Sequence, residues 1–166
     1  MISDKDKQQL RTALVAAFDK FISQFSSFQN DEVNKHFPSS EWTPAQVATH
    51  IILATDGVPD QSTRESDRAY DEMFPRIRPW WEDLNQKFQS PEQLRPDNKP
   101  RVKNDLLSEL KRVREKDLTI IDNSDLSVIC ADIELPTIGY LTRYEWLWFI
   151  EMHLKRHEFQ LSKMKK

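Results

Sequence analysis

Glycine is almost absent from this chain, which has only Gly57 and Gly139 among its 166 residues. A phosphate-binding P-loop and a G-x-G-x-x-G dinucleotide-binding turn both need several closely spaced glycines, because their backbone must approach a phosphate closely. Two isolated glycines cannot build either motif. The sequence therefore excludes nucleotide chemistry of these two kinds.

Cysteine is equally scarce, since Cys130 is the only one. An internal disulfide is excluded, as is usual for proteins of a reducing compartment. Cys130 follows Val128 and Ile129 in an apolar segment. Of its two roles, a nucleophile or an inert buried thiol, this setting favours the inert thiol.

Excess positive charge and long apolar runs are also missing. Lys and Arg number 24 against 27 Asp and Glu, a net charge of −3, so nothing in the composition favours a nucleic-acid partner. No run approaches the roughly 18 to 20 apolar residues of a membrane span, and residues 1–6 contain no apolar signal core. We therefore expect a cytoplasmic protein without a membrane partner.

Large apolar side chains are well represented, with nine Phe and five Trp. Together with the length of the chain, they predict one compact domain over residues 1–166. Eight of the nine prolines fall between Pro38 and Pro100, which leaves three long stretches almost free of helix breakers. We expect the main helices in these stretches and in a fourth segment that begins with a helix-start signal.

Apolar residues spaced three and four apart predict the first and third helices, over about residues 4–28 and 102–117. Thr43-Pro44-Ala45-Gln46 is a capping box that opens a second helix, which should stop at Gly57. A second capping box, Thr142 to Glu145, opens a fourth helix that runs to the lysine-rich end. The apolar positions behind the first and third predictions are Leu10, Leu14, Phe18, Phe21, Phe25 and Phe28, and Leu106, Leu110 and Val113.

The remaining segments are predicted to be connections. Residues 58–100 should hold short helical pieces near 80–88 and 90–94, and residues 118–140 should be irregular or include a short extended piece. Four amphipathic helices without alternating strands indicate an all-α four-helix bundle. The long connection between the second and third helices allows an up-down-down-up order.

Three of the four histidines lie on the predicted core faces, His50 on the second helix and His153 with His157 on the fourth. Residues four apart on a helix share one face, so His153 and His157 can chelate one metal ion, and a third imidazole would complete the site. The alternative is three hydrogen-bonded core histidines. Two adjacent buried imidazoles are costly to desolvate, which favours a metal site. His36 is expected to be a surface residue.

Other side chains carry weaker signals. The tryptophans at 80, 81, 146 and 148 suit either a core or the wall of a substrate pocket, and the core is favoured. Glu151 and Glu158 flank the histidine pair and are expected on solvated faces. Lysines 111 and 116 should mark the exposed side of the third helix.

Two segments resemble the DinB-like superfamily, in particular its YfiT-like and DinB_2-type members. One runs from Trp42 through the capping box to His50, and the other ends in the pattern H-x-x-R/K-H-x-x-Q, here His153 to Gln160. Residues 88–96 are similar to the middle of these proteins, and the likeness extends over most of the chain.

This resemblance implies an up-down-down-up four-helix bundle with a divalent ion, nickel or zinc, on His50, His153 and His157. Members include thiol S-transferases that use bacillithiol, mycothiol or glutathione, and others described as metal-dependent hydrolases. A small-molecule substrate and a homodimer are further expectations. We therefore expect a metal-dependent enzyme, with thiol transfer slightly favoured and catalytic residues unassigned. The alternative is a non-catalytic metal-binding or stress-related bundle.

Overall fold

The computed structural model describes residues 1–85 and 90–165, and within these ranges the fold is mostly helical. The predicted all-α class is confirmed, and the two short strands form a single antiparallel pair. The elements of the described residues are α1 (Asp4–Ser26), α2 (Pro44–Thr55), β1 (Thr63–Arg64), α3 (Phe74–Glu82), a 3₁₀ turn (Glu92–Leu94), α4 (Lys103–Asn123), β2 (Ile129–Cys130) and α5 (Arg143–Met164).

Helices α1, α2, α4 and α5 enclose the main core. α1 packs against α4 and α5, and α2 packs against the same two helices from the opposite corner. The apolar face predicted for α1 is confirmed, since Phe18, Phe21 and Phe25 are fully buried. None of the described helices combines the length and the apolar character needed to cross a membrane.

The directions of the four helices follow from which of their ends meet. Lys103 Nζ donates to Ser26 O (2.8 Å), Lys165 Nζ donates to Ser27 O (2.7 Å), and the Trp42 ring lies 6.4 Å from that of His157. α4 therefore runs antiparallel to α1, α5 runs parallel to α1, and α2 runs antiparallel to α5. These are the directions that an up-down-down-up order requires.

Both predicted capping boxes are present. Thr43 Oγ1 accepts from the backbone N–H of Gln46, and Gln46 Oε1 accepts from the N–H of Thr43, so α2 begins where its sequence predicts. Thr142 and Glu145 exchange the same two bonds at the start of α5. α2 ends at Thr55, two residues before Gly57, whose φ of 77° suits a glycine.

The predicted end of the third helix was wrong. α4 continues from the expected stop at residue 117 to Asn123, and Leu118 and Ile121 extend its buried face. Asp117 interrupts the apolar pattern, but it lies on the same buried face and its Oδ1 accepts from the N–H of Gly57 at 3.0 Å. A hydrogen-bonded carboxyl group therefore occupies a position where the pattern requires an apolar side chain.

The predictions for the long connection were partly wrong. The helical piece expected over 80–88 begins earlier and ends earlier, as α3. Pro75 fits the first turn of α3, where its missing N–H costs nothing, although Pro79 lies inside this short helix. Residues 86–89 of that prediction lie outside the described residues. The piece expected over 90–94 is one 3₁₀ turn, and the extended option for 118–140 is confirmed as β2.

Candidate metal centre

The fold brings the three core histidines together as one group, which we call the histidine cluster (His50, His153 and His157). Ligand nitrogens of the three rings all lie within 4.8 Å of one another. His50 lies on the buried face of α2, and the other two lie one turn apart on α5. His50 is 1% exposed and His153 8%, while His157 is partly buried. His36 lies apart from the cluster and is exposed, as predicted.

A hydrogen bond from Nδ1 of His50, the nitrogen that points away from the cluster, leaves Nε2 facing the cluster. His50 Nδ1 lies 2.7 Å from the backbone oxygen of Leu94, the last residue of the 3₁₀ turn. A carbonyl oxygen only accepts, so Nδ1 carries the proton and donates. In the neutral ring, Nε2 then carries a lone pair, and it lies 3.0 Å from Nε2 of His153.

His157 has a comparable outer partner in Gln160. His157 Nδ1 lies 2.7 Å from Gln160 Oε1, and Gln160 Nε2 donates to Ser40 Oγ at 3.0 Å. The bond to Ser40 turns the amide so that its oxygen faces the imidazole, which makes Nδ1 the donor. Nε2 of His157 is therefore left with its lone pair. Such outer bonds orient metal-binding histidines and fix their tautomers.

His153 differs from the other two. Its Nδ1 is buried and has no hydrogen-bond partner among the described residues. The ring instead packs against Trp81, at a centroid distance of 5.7 Å, and nearly perpendicular to the ring of Phe149, at 6.0 Å. We call Trp81 and Phe149 the aromatic wall; their own rings are 4.1 Å apart.

The arrangement fits a divalent ion. Lone pairs on two nitrogens 3.0 Å apart repel each other unless a proton or a cation lies between them. Two nitrogens bound tetrahedrally to zinc at about 2.0–2.1 Å would lie about 3.3 Å apart, close to this distance. Neutral imidazoles also suit zinc and nickel, and three of them leave a coordination position for another ligand.

The protonation states point the same way. Burial lowers the pKa of His50, and burial followed by the repulsion of His50 lowers the pKa of His157 to about 3. The pKa of His153 is held well below its ordinary value, first by burial and then by the charges of its neighbours. All three rings are therefore neutral at pH 7, which is the form that binds a metal.

The flanking glutamates are not on solvated faces, so that prediction was wrong. Glu151 is buried and pairs with Lys155 at 3.2 Å, and the Glu158 side chain is 13% exposed and lies 3.7 Å from Lys20. A charged partner on a neighbouring turn or helix lets each carboxylate leave the surface.

Cys130 is buried as predicted, and burial raises its pKa to about 12, so the thiol stays protonated.

Two contributors to the site were not found from the sequence. Any residue can offer a carbonyl, so no pattern marks Leu94 as a partner of His50. Trp81 was expected in the core, but it packs directly against a histidine of the cluster while its neighbour Trp80 is 46% exposed. Only the position of α3 against α5 shows this role.

Comparison with known proteins adds one finding. A family model described as the DinB superfamily matches residues 13–161, a range that contains the whole histidine cluster. Comparison of the chain with curated proteins finds no match, and neither does comparison with solved structures.

Proposed function

The chain belongs to the DinB superfamily, and from this premise we propose that it is a metal-dependent enzyme whose nickel or zinc ion is held by His50, His153 and His157. The observation that carries the proposal is the buried cluster itself, in which three neutral imidazoles bring ligand nitrogens within 4.8 Å of one another. A cluster of this kind in the core costs desolvation energy that a bound cation would repay.

The proposed reaction is the transfer of a low-molecular-weight thiol, such as bacillithiol, mycothiol or glutathione, to a small electrophile. When bound, a divalent ion lowers the pKa of a coordinated thiol or water toward neutrality. The thiol sulfur forms a bond to an electrophilic carbon, the leaving group departs with its electron pair, and the thiol proton passes to solvent. In the hydrolytic version, water attacks the carbonyl carbon of an ester or amide, and the alcohol or amine leaves.

The chain's own residues orient the ligand histidines and offer an apolar surface beside them. Leu94 O and Gln160 hold the rings of His50 and His157 with their Nε2 atoms toward the cluster. The aromatic wall beside His153 offers an apolar surface for the non-reacting part of a small substrate.

The alternative, a non-catalytic metal-binding or stress-related bundle, has one observation in its favour. His50 and His153 are each less than a tenth exposed, so a substrate has little direct access to them. Among the described residues, surface grooves lie along α1, away from the histidine cluster.

Metal analysis and a thiol-transfer screen on the same protein, purified without an affinity tag, test the proposal. We expect about one nickel or zinc ion per chain and metal-dependent consumption of thiol with at least one electrophile class. Protein without bound metal that fails to take up nickel or zinc would refute the metal site. Stoichiometric metal without turnover of thiol, ester or amide substrates would support the non-catalytic alternative.

A further inference from the structure

The three histidines are held in place by different means. His50 and His157 each donate a hydrogen bond from Nδ1, but the Nδ1 of His153 has no such partner among the described residues. Its orientation therefore depends on packing. Among the described residues, the aromatic neighbours of His153 outside the cluster include the Trp81 ring, 5.7 Å away and tilted by 51°, and the ring of Phe149.

Trp81 in turn is held by a residue of the opposite helix. It lies in the last turn of α3, where backbone carbonyls lack partners within the helix and where no basic side chain of α3 is present. Arg156 Nη2, from α5, donates to Trp81 O at 3.1 Å and to Asp83 O at 2.9 Å. The guanidinium also lies 5.8 Å from the centre of the Trp81 ring.

The position of Arg156 is electrostatically unfavourable for a cation site. It precedes His157 directly in the chain, and its guanidinium donates to the backbone oxygen of Trp81, whose ring packs against His153. A positive charge this close opposes the binding of a divalent ion. If charge were the only effect of Arg156, its removal would strengthen metal binding.

We propose that Arg156 is a positioning residue: by clamping the end of α3 to α5, it holds Trp81 against His153 and so keeps Nε2 of His153 directed at Nε2 of His50. This inference rests on the proposed metal site but makes a prediction of its own. Replacing Arg156 should weaken zinc binding if its main role is to hold Trp81 in place. It should strengthen zinc binding if its main effect is the repulsion between its charge and the ion.

Zinc affinity, measured by competition with a chromophoric chelator, distinguishes the two effects. We expect Arg156→Met to bind zinc about 10-fold more weakly, the usual scale for losing an outer support of a ligand. Arg156→Lys, which can still donate to a carbonyl, should recover most of the affinity. Lys163→Met removes one exposed positive charge from the same helix and should leave affinity unchanged.

Trp81→Leu provides a second approach to the same contact. If Arg156 acts through Trp81, this variant should lose affinity to a similar extent, and the double variant should lose little more than the weaker-binding single one. If Arg156→Met does not fold, Trp81→Leu still tests whether the contact between Trp81 and His153 supports zinc binding. Unchanged or tighter zinc binding in Arg156→Met with wild-type helicity, or in Trp81→Leu with wild-type helicity, would overturn the proposal.

The metal-free protein gives a readout that does not depend on metal binding. In ¹H–¹⁵N spectra of the imidazole nitrogens, the signals of His153 should move in Arg156→Met and stay in place in Lys163→Met. If the wild-type protein bound no zinc but this change were seen, the proposed function would fail while the positioning role stood. Unaltered His153 signals would refute the positioning role.

Discussion

Nε2 of His50 and Nε2 of His153 lie 3.0 Å apart, although 103 positions separate the two residues in the chain. The bond from His50 Nδ1 to Leu94 O leaves a lone pair on the Nε2 of His50. That lone pair requires a proton or a cation opposite it. In the metal-free protein, His153 can supply the proton from its own Nε2; with metal bound, the ion takes its place.

Loss of any one member of the histidine cluster should remove the metal. In His50→Ala, His153→Ala and His157→Ala, two imidazoles remain, and two neutral ligands cannot hold the ion tightly. We expect less than about a tenth of the wild-type metal content in each variant, because losing even an outer hydrogen-bond partner of a ligand typically lowers metal affinity 10-fold or more. The bundle should stay helical, since its core is formed by apolar side chains elsewhere.

His36→Ala is the matched control, because His36 is exposed and lies outside the cluster. Its metal content and its thermal unfolding should equal those of the wild type. Wild-type metal content in His153→Ala, measured by elemental analysis on untagged protein, would exclude the assigned site. Core histidines without a metal would instead give three unequal losses of stability and no shared loss of metal.

The buried carboxyl group of Asp117 should make the stability of the fold decrease toward alkaline pH. Burial raises its pKa from 3.8 to about 8, with the nearby Asp56 raising it further and the Gly57 N–H, Lys116 and Arg112 opposing the shift. Between about pH 4 and 8 the folded protein thus keeps a proton that the unfolded chain has already released. Over that range this group lowers the free energy of unfolding by up to about 1.4 kcal/mol per pH unit.

Asp117→Asn removes this titration and keeps an oxygen that can accept from Gly57. We expect the variant to gain stability over the wild type as pH rises from 5 to 8, measured by urea unfolding at each pH. Asp105→Asn, also on α4 but not among its buried residues, is the control and should track the wild type. A constant stability difference between Asp117→Asn and the wild type at all pH values would contradict the raised pKa.

The amide of Gln160 should contribute to metal affinity although it is not a proposed ligand. Gln160→Leu removes the acceptor of the His157 Nδ1–H, so the ring loses the bond that directs its Nε2 inward. We expect zinc affinity to fall about 10-fold, the lower end of the range for such outer partners. Titration against a chromophoric chelator measures the change.

Gln9→Leu makes the same substitution at an exposed position of α1 and should not affect zinc binding. Gln160→Glu, whose carboxylate still accepts from Nδ1, should retain or increase affinity. Equal affinities in Gln160→Leu and Gln9→Leu would show that the amide does not support the site.

Features that depend on neighbours in the chain were predictable from the sequence. The start of α2 at Thr43 and that of α5 at Thr142 follow from side chains three residues away, and the bonds involved are local. His153 and His157 share a face for the same reason, since four residues make about one helical turn. The inward orientation of His50 followed from its place among the apolar residues of α2.

Features that depend on contacts between distant segments were decided by the tertiary structure. The sequence predicted that α4 stops near residue 117 because the apolar residues that follow show no helical period. Only the tertiary structure brings the Gly57 N–H, just after α2, to Oδ1 of the buried Asp117. Leu94 O and the ring of Trp81 reach the cluster through the fold of the long connection. Local patterns set where helices begin and which face is buried, but the partner of a buried polar group depends on which segments the fold brings within about 3 Å of it.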